Sequence, residues 1–483
     1  MFEGRNLIAG KWKPATSGKT FAQRNPANLA EVTGQFADSS AEDAQRAIAA
    51  AHAAFPAWRA LSPQARKRYL VQALEAMIVR RDEIAAMIAR ENGKAYREAK
   101  AETDSAIKEM DYQIAEGIRL CGQTMPVEVD GTLGYSKREA RGAVGIITPW
   151  NFPFNVPCRK CTPALMAGNT VVFKPASLTP RTGLLYSELL SDTGLPAGVF
   201  NCVTGLGRDV GGTIVRDARI KAISFTGSTL VGKSIQAQAA LNLTPTQLEL
   251  GGKNPAIVMP DADLDLAVAE IVKGAFACSG QWCTSTSRVI VLEENAAALT
   301  ERLVAAAGAI SVGPGMSNDC GMGPVCGAAQ KADILRFIEQ GRAEGARLLL
   351  GGNALDGAGY ADGCFIAPTI FDQVRPDMVI AREEIFGPVL VILVVKSFEA
   401  AVATANDVAY GLSSSIFTKS LEHALTYMER SEVGLAHVNL MSAHKEPQLP
   451  FGGVKQSGAG LPEAGSAGIE FFTEHKVCYV KYR

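Results

Sequence analysis

A cysteine with small and polar neighbours, Gly280-Gln281-Trp282-Cys283-Thr284, follows the apolar stretch Ile271 to Cys278. At a segment end such a thiol can be an accessible thiolate nucleophile, whereas a cysteine buried in a core is inert; spacing alone leaves both open. No histidine stands near Cys283 in sequence to serve as its base, which argues against a papain-type site. In Gln247-Leu248-Glu249-Leu250-Gly251-Gly252, one carboxylate sits among apolar residues. Desolvation there would raise the pKa of Glu249 and make it a usable general base; the alternative is an exposed strand-end glutamate. Asn151 lies between two prolines in Pro149-Trp150-Asn151-Phe152-Pro153. Proline fixes φ and removes a donor, so the turn is rigid and its amide points one way, either at a developing oxyanion or back at its own backbone.

A second set of residues suits a phosphate-bearing ligand. Gly205-Leu206-Gly207, with Gly211 beyond, follows a strand ending at Val203 and looks like a dinucleotide fingerprint, a weak signal alone. Phe225-Thr226-Gly227-Ser228 closes the next strand and opens a helix through Val231-Gly232. Its backbone N–H groups and the Ser228 hydroxyl make either an anion site or a plain helix cap. Lys174 ends the strand Val171 to Phe173, where open α/β sheets bind ligands, and can hydrogen-bond ribose hydroxyls. The only CxxC, Cys158-Arg159-Lys160-Cys161, lacks a second pair or a spaced histidine, so no zinc site and no other metal is expected.

The elements that must position these groups follow from periodicity. Residues 40 to 118 read as helix, with Leu70, Ala73, Leu74, Met77, Ile84 and Ile88 among the apolar positions at steps of three and four, capped by Ser39 or Ser40. From about 140, short β-branched runs alternate with helical stretches: Ala143 to Ile147, Thr170 to Phe173, Val199 to Val203, Ala222 to Phe225 and Ala256 to Met259. A second series follows Cys283, with Arg288 to Leu292, Val389 to Val395 and Ser414 to Phe417. Two parallel α/β units are expected. Gly351 to Gly363 and Gly452 to Gly460 read as loops. Glu128 to Lys137 reads as a hairpin and Glu474 to Val480 as a strand; both lie outside the α/β rhythm, and either can pair with another chain.

Composition narrows the partners. The 483 residues suit about three domain-sized units, and 48 Lys and Arg against 49 Asp and Glu leave a formal charge of −1, which argues against nucleic acid. The longest apolar run, Val389 to Val395, is far short of the ~20 residues a membrane helix needs. Met1 to Ala30 has no apolar core of a secretory signal, and ten scattered cysteines suit reduced thiols, so a cytoplasmic protein is expected.

Taken together, the motifs resemble the aldehyde dehydrogenase superfamily, in order over nearly the whole chain. They are Pro149 to Pro153, Lys174-Pro175-Ala176, Phe225 to Ser228, Glu249 to Gly252, Gly280 to Cys283, Glu384-Ile385-Phe386-Gly387-Pro388 and Pro450-Phe451-Gly452-Gly453. The resemblance implies an α/β aldehyde dehydrogenase fold: an atypical Rossmann cofactor domain (1–120 and 140–251), an α/β catalytic domain (252–452), and a small β oligomerisation arm with a C-terminal strand (121–139 and 465–483). It implies NAD- or NADP-dependent oxidation of a small aldehyde through a cysteine thiohemiacetal and thioester, in a homodimer or homotetramer. Cys283 would be the nucleophile, Asn151 and the Cys283 N–H the oxyanion donors, and Glu249 the base that activates water.

Cofactor positions implied by the resemblance are Ile147, Thr148 and Trp150 in the turn, Lys174 and Glu384 at ribose hydroxyls, and Phe386 at the nicotinamide end. Gly207, Phe225, Gly227, Ser228, Val231 and Leu250 line the rest of the path, and Gly205 to Gly207 is not the usual pyrophosphate loop. Ser177 stands where NAD-selective relatives often carry a glutamate, so both cofactors are expected. The tail is similar to bacterial 2-oxoglutarate semialdehyde (2,5-dioxopentanoate) dehydrogenases, and Arg159 matches the arginine with which succinate-semialdehyde dehydrogenases hold a substrate carboxylate. Ala277 stands where those enzymes have a second arginine, which argues against succinate semialdehyde; His444 and Lys445 could supplement Arg159. Phe152 and Trp282 narrow the tunnel or favour an aromatic aldehyde. A thiol esterase or acyltransferase using Cys283 without nicotinamide is the rival class.

Overall fold

Ser40 opens the first long helix, α1 (Ala41–Ala60): its hydroxyl accepts from Glu42 N at 3.2 Å, and Asp43 accepts from Ser40 N at 3.1 Å in a capping box. Ser62 with Pro63 at the first helical position starts α2 (Pro63–Val79), and Gly93 in the left-handed region ends α3 (Arg81–Asn92). The segment expected to be helical is thus four-fold broken, its last piece being α4 (Tyr96–Glu116). The computed structural model describes residues 2–483; Met1, at the start of the expected cofactor segment, lies outside the described residues.

The α/β runs build two sheets. In the first, eight strands lie in the order 458–459, 246–249, 220–226, 143–147, 170–174, 200–202, 6–8 and 11–13, and the five from 246–249 to 200–202 are parallel. Chain order reverses between 143–147 and 220–226, so a crevice opens at their carboxyl ends. Register pairs Lys174 with Ile147, Ile147 with Phe225, and Thr226 with Glu249, which sets these residues along that edge. The second sheet has seven strands, 347–350, 369–372, 389–395, 286–292, 254–258, 413–417 and 435–438, parallel except at 347–350. Each sheet has its own core: Val144, Val171 and Phe173 in the first, Val289, Val291 and Leu390 in the second.

Two expectations change. Glycines 452–460 are more than a loop: residues 458–459 add an antiparallel edge strand to 246–249. The close approach requires glycine, since a Cβ on Gly460 would lie 2.1 Å from Thr246 O. The expected arm hairpin is instead strands 124–125 and 132–140, and the latter pairs along its whole length with 473–481 of the same chain, from Thr473 opposite Ala140 to Lys481 opposite Thr132. The two outlying segments therefore pair with each other.

The chain crosses from the first sheet to the second through Leu250 to Lys253, so the carboxyl edge of one faces the amino edge of the other. Cys283 precedes strand 286–292 on that amino edge. The loop leading to it is strained: Cys278, Ser279 and Gly280 are consecutively left-handed, at φ 52, 58 and 66°. Glu98 accepts from Cys278 N at 2.9 Å and Ser279 Oγ donates to Gly323 O at 2.7 Å, contacts that hold the strain.

Candidate active site

A cavity of about 570 Å3 lies where the two sheet edges meet, and Cys283, Asn151, Trp282 and Glu384 are on its wall. Asn151 Nδ2 donates to Gln281 O at 3.0 Å, so the rigid proline turn and the nucleophile loop are joined directly. Asn254 Nδ2 fixes the far side of the thiol, donating to Cys283 O at 2.8 Å and Ser285 O at 2.9 Å. The Phe152 and Trp282 rings pack tilted at 5.2 Å, and Trp150 meets Phe386 edge-on at 5.4 Å.

Charge in this pocket is controlled by burial. The half-buried Cys283 thiol is pushed up to about 12, first by desolvation and then by the Glu384 carboxylate, with Arg159 acting the other way. Glu384 is itself pushed up to about 7 by burial, against Gly252 N, which donates to it at 2.9 Å, and Lys253. Burial and the neighbouring Glu463 push the Glu249 carboxyl well above the ordinary range, against Lys160 and Arg159. Glu249 Oε2 has no hydrogen-bond partner, and the side chain lies against Gly452, behind the cavity wall rather than on it. A buried, unpaired carboxyl beside a thiol is the environment in which a glutamate can take a proton near neutral pH.

The remaining cofactor candidates run outward along the sheet edge. Gly227, Ser228 and Leu250 line the cavity with Trp150 and Phe386. Ile147, Thr148, Lys174, Ser177, Gly207, Phe225 and Val231 lie beyond it. Lys174 is pushed down to about 8 by burial and donates to Pro175 O at 2.9 Å, while Thr148 N donates to Lys174 O at 3.2 Å. The Phe225 ring folds under Gly227, where a Cβ would meet it at 2.4 Å; around Gly207 the space is open to 4 Å. No side chain caps the helix Thr229–Ala239, so its first N–H groups are free for an anion, and Thr226 Oγ1 beside them is buried without a partner. An uncapped helix start, an open glycine and an orphaned hydroxyl along one strip fit an extended dinucleotide. Ser177 Oγ donates to Gly205 O at 2.8 Å and does not cap the following helix, whose N-cap is Thr179.

The substrate candidates are placed differently from expectation. Arg159 reaches the cavity wall and stacks over Phe451 at 4.8 Å, but its fork is already engaged. Nη1 binds Glu463 at 2.7 Å, Nη2 donates to Asn155 at 2.8 Å, and Nε lies 3.2 Å from Glu109. Two of the five guanidinium N–H donors are thus taken by protein acceptors, and Glu463 and Glu109 already balance the charge that a substrate carboxylate would seek. Lys445 likewise donates to Glu109 at 2.6 Å, and His444 faces Glu446 at 3.8 Å; both line the cavity mouth. Sequence reading missed Glu102, Glu109, Glu463 and Lys94. The signal was there: Glu102 and Glu109 share a helical face with Ala99, Ala106 and Met110, where a solvated charge does not belong. Among the described residues no cluster of three His, Cys, Asp or Glu could hold a metal, and no helix is long and apolar enough to cross a membrane.

Because Glu384 raises the Cys283 thiol, Glu384→Gln should lower that pKa and speed alkylation by iodoacetamide several-fold well above pH 7, with the difference shrinking below about 7, where Glu384 takes up its proton. Equal alkylation rates in alkaline buffer would contradict the coupling.

Known proteins resemble this chain over nearly its whole length. The model of the "Aldehyde dehydrogenase family" matches residues 12–478. The chain is 42% identical over 476 residues to the alpha-ketoglutaric semialdehyde dehydrogenase of Bacillus subtilis (strain 168), covering 99% of this chain and 98% of that one. An NAD-dependent aldehyde dehydrogenase from Sinorhizobium meliloti superposes with a TM-score of 0.96 at 37% identity, over 99% of this chain and 95% of that one. An Escherichia coli NADP-dependent enzyme does so with a TM-score of 0.95 at 34% identity, over 99% and 98%. The chain belongs to the aldehyde dehydrogenase family.

Proposed function

We propose that this chain oxidises a short aldehyde bearing an anionic group, with 2-oxoglutarate semialdehyde first among them, to the carboxylic acid, using NAD or NADP. The observation that supports the reading is that the Cys283 thiol and the Asn151 amide share one cavity wall, with the buried Glu249 carboxyl behind it against Gly452. Cys283 sulfur adds to the aldehyde carbon as its thiol proton passes to solvent water, and the carbonyl oxygen takes up the negative charge. Asn151 Nδ2 and Cys283 N donate to the oxygen that gains charge, the amide using the N–H that is not bonded to Gln281 O. A bound nicotinamide supplies the acceptor for the hydride and its two electrons. Lys174, Ser228, Glu384 and Phe386 would hold that cofactor, and the carbon is then left as a thioester on Cys283. Glu249, turned into the cavity or acting through one water, takes a proton from the water that cleaves the thioester, releasing the acid and the thiol.

Support for an anionic substrate comes from the named specificity of the Bacillus subtilis relative and from the rim of the cavity. Arg97 and Lys273 line it from exposed positions, and Lys273 enters no ion pair among the described residues. Of the four carboxylates on the wall, Glu102 is matched by Lys94 and Glu463 by Arg159 and Lys160, while burial pushes the unpaired Glu98 and Glu384 upward, so an incoming carboxylate first meets the exposed Arg97 and Lys273. Ser177 carries no charge to repel a 2′-phosphate, which supports use of both cofactors.

On the arm sheet, Val477 and Tyr479 are exposed on one face and Leu133 and Val480 on the other, and we infer that a second copy of the chain covers the Val477 and Tyr479 face in a homodimer or homotetramer. Val477→Asp with Tyr479→Asp should shift light scattering to a smaller species; an unchanged mass would count against it.

The substrate reading is tested with a panel of dicarboxylic semialdehydes, propanal and benzaldehydes, run with each nicotinamide cofactor. Arg97→Met with Lys273→Met should raise KM for 2-oxoglutarate semialdehyde roughly five- to tenfold, the scale of two exposed charges, while leaving propanal unaffected. Benzaldehydes outperforming the acidic substrates, an equal effect on propanal, or no turnover with NADP would each contradict the part concerned.

A further inference from the structure

The oxyanion donor is itself held by a buried charge pair that the reaction chemistry does not otherwise use. Lys94 stands just before α4 and Glu102 two turns into it, both with almost no exposure, and they bond at 2.7 Å. Lys94 Nζ also donates to the backbone oxygen of Asn151 at 2.6 Å and lies 4.1 Å from the centre of the Phe152 ring. The other oxygen of Glu102 accepts from Phe154 N at 2.9 Å and Asn155 N at 3.2 Å, the first N–H groups of helix α5 (Asn155–Ala167). Asn92 Nδ2 adds a bond to Trp150 O at 2.9 Å. Every residue from Trp150 to Asn155 except Pro153 is thereby tied to one short stretch of chain, Asn92 to Glu102. The same stretch reaches the nucleophile loop, since Glu98 accepts from Cys278 N, and the Phe152 ring packs on Trp282 beside Cys283.

We propose that Lys94, held by Glu102, is a positioning residue for the oxidation: by gripping the Asn151 carbonyl and the Phe152 ring it fixes the direction in which the Asn151 amide meets the substrate oxygen. The proposal rests on the reading of Asn151 as oxyanion donor. Its physical basis is that proline restricts the turn's dihedrals but does not set the turn's position relative to the thiol; a three-centre ammonium does. Burial is the largest single influence and opposes the charged amine, yet Glu102, Cys278 and Glu98 together outweigh it and raise Lys94 above the ordinary lysine range. Loss of the ammonium would leave Asn151 O and a Glu102 oxygen without a donor in a dry site, and the turn would move to recover one.

The test is a double-mutant cycle on the full chain: wild type, Lys94→Met, Asn151→Ala and the double variant, read by the single-turnover rate of cofactor reduction with propanal. Melting temperature and cofactor Kd are measured on each. Lys94→Met alone should slow the step about 10- to 100-fold, the cost of a misplacement near 1 Å, with cofactor Kd unchanged. In the Asn151→Ala background the same change should cost less than about three-fold, because a residue acting through Asn151 has nothing left to position. Full losses in both backgrounds, the signature of a merely structural role, would overturn the proposal, as would a wild-type rate for Lys94→Met. Asn151→Ala turning over at the wild-type rate would instead overturn the oxyanion reading itself. Should Lys94→Met fail to fold, Glu102→Gln keeps an acceptor for Phe154 and Asn155 N–H and runs the same cycle with the same expectations.

Discussion

Arg159, Lys160, Glu109 and Glu463 are charged side chains with almost no access to water, and they meet at one point. Removing one partner of such a group costs about 3–5 kcal/mol, because the others are left buried and unpaired. The four come from α4, α5 and the segment after the last glycine-rich stretch, so keeping them paired clamps these three pieces together. The clamp extends to the base: Lys160 Nζ donates to Ser224 Oγ at 2.8 Å, Ser224 to Gln247 at 2.8 Å, and Gln247 to Pro462 O at 3.0 Å. Glu249 therefore sits at the end of a strand whose neighbours are all fixed, with Glu463 beside it to raise its pKa. Arg159 belongs to this group and also reaches the cavity wall.

A consequence is that the resting site is close to neutral where chemistry is to occur. The Cys283 thiol and the Glu249 carboxyl are both pushed upward, mainly by burial, and Glu384 adds to the effect on the thiol. An uncharged thiol is a poor nucleophile, and it is also protected from adventitious oxidation and alkylation. The charges that remain are either locked in pairs beneath the cavity or displayed at its rim, where Arg97 and Lys273 are open to the incoming molecule. In the proposed mechanism, catalytic groups and substrate-selecting groups are thus separated by depth.

Much of the architecture was legible because it rests on local periodicity. The runs at 143–147 and 389–395 coincide with strands end to end, and Ser40 caps its helix as its type and place suggest. What escaped is non-local. Nothing in residues 128–137 says that a strand there will pair with 473–481, and the return of residues 458–459 to the edge of the first sheet depends on backbone approach across more than two hundred positions. The candidate site divides the same way: Cys283, Asn151 and Glu249 were marked by rigid or glycine-rich surroundings. Arg159 was assigned by its type, and only the positions of Glu109 and Glu463 show that its charge is already paired within the protein. Lys94 and Glu102 resemble a solvated pair until their burial is known.

The central claim is that Cys283 carries the acyl group and Glu249 releases it. Mass spectrometry of the Glu249→Gln protein, quenched after mixing with aldehyde and oxidised cofactor, tests both halves at once. The account predicts an acyl adduct confined to the peptide containing Cys283, formed in step with one reduced cofactor per site and slow to disappear. Reduced cofactor accumulating through many turnovers with no adduct, or an adduct on another cysteine, would contradict it.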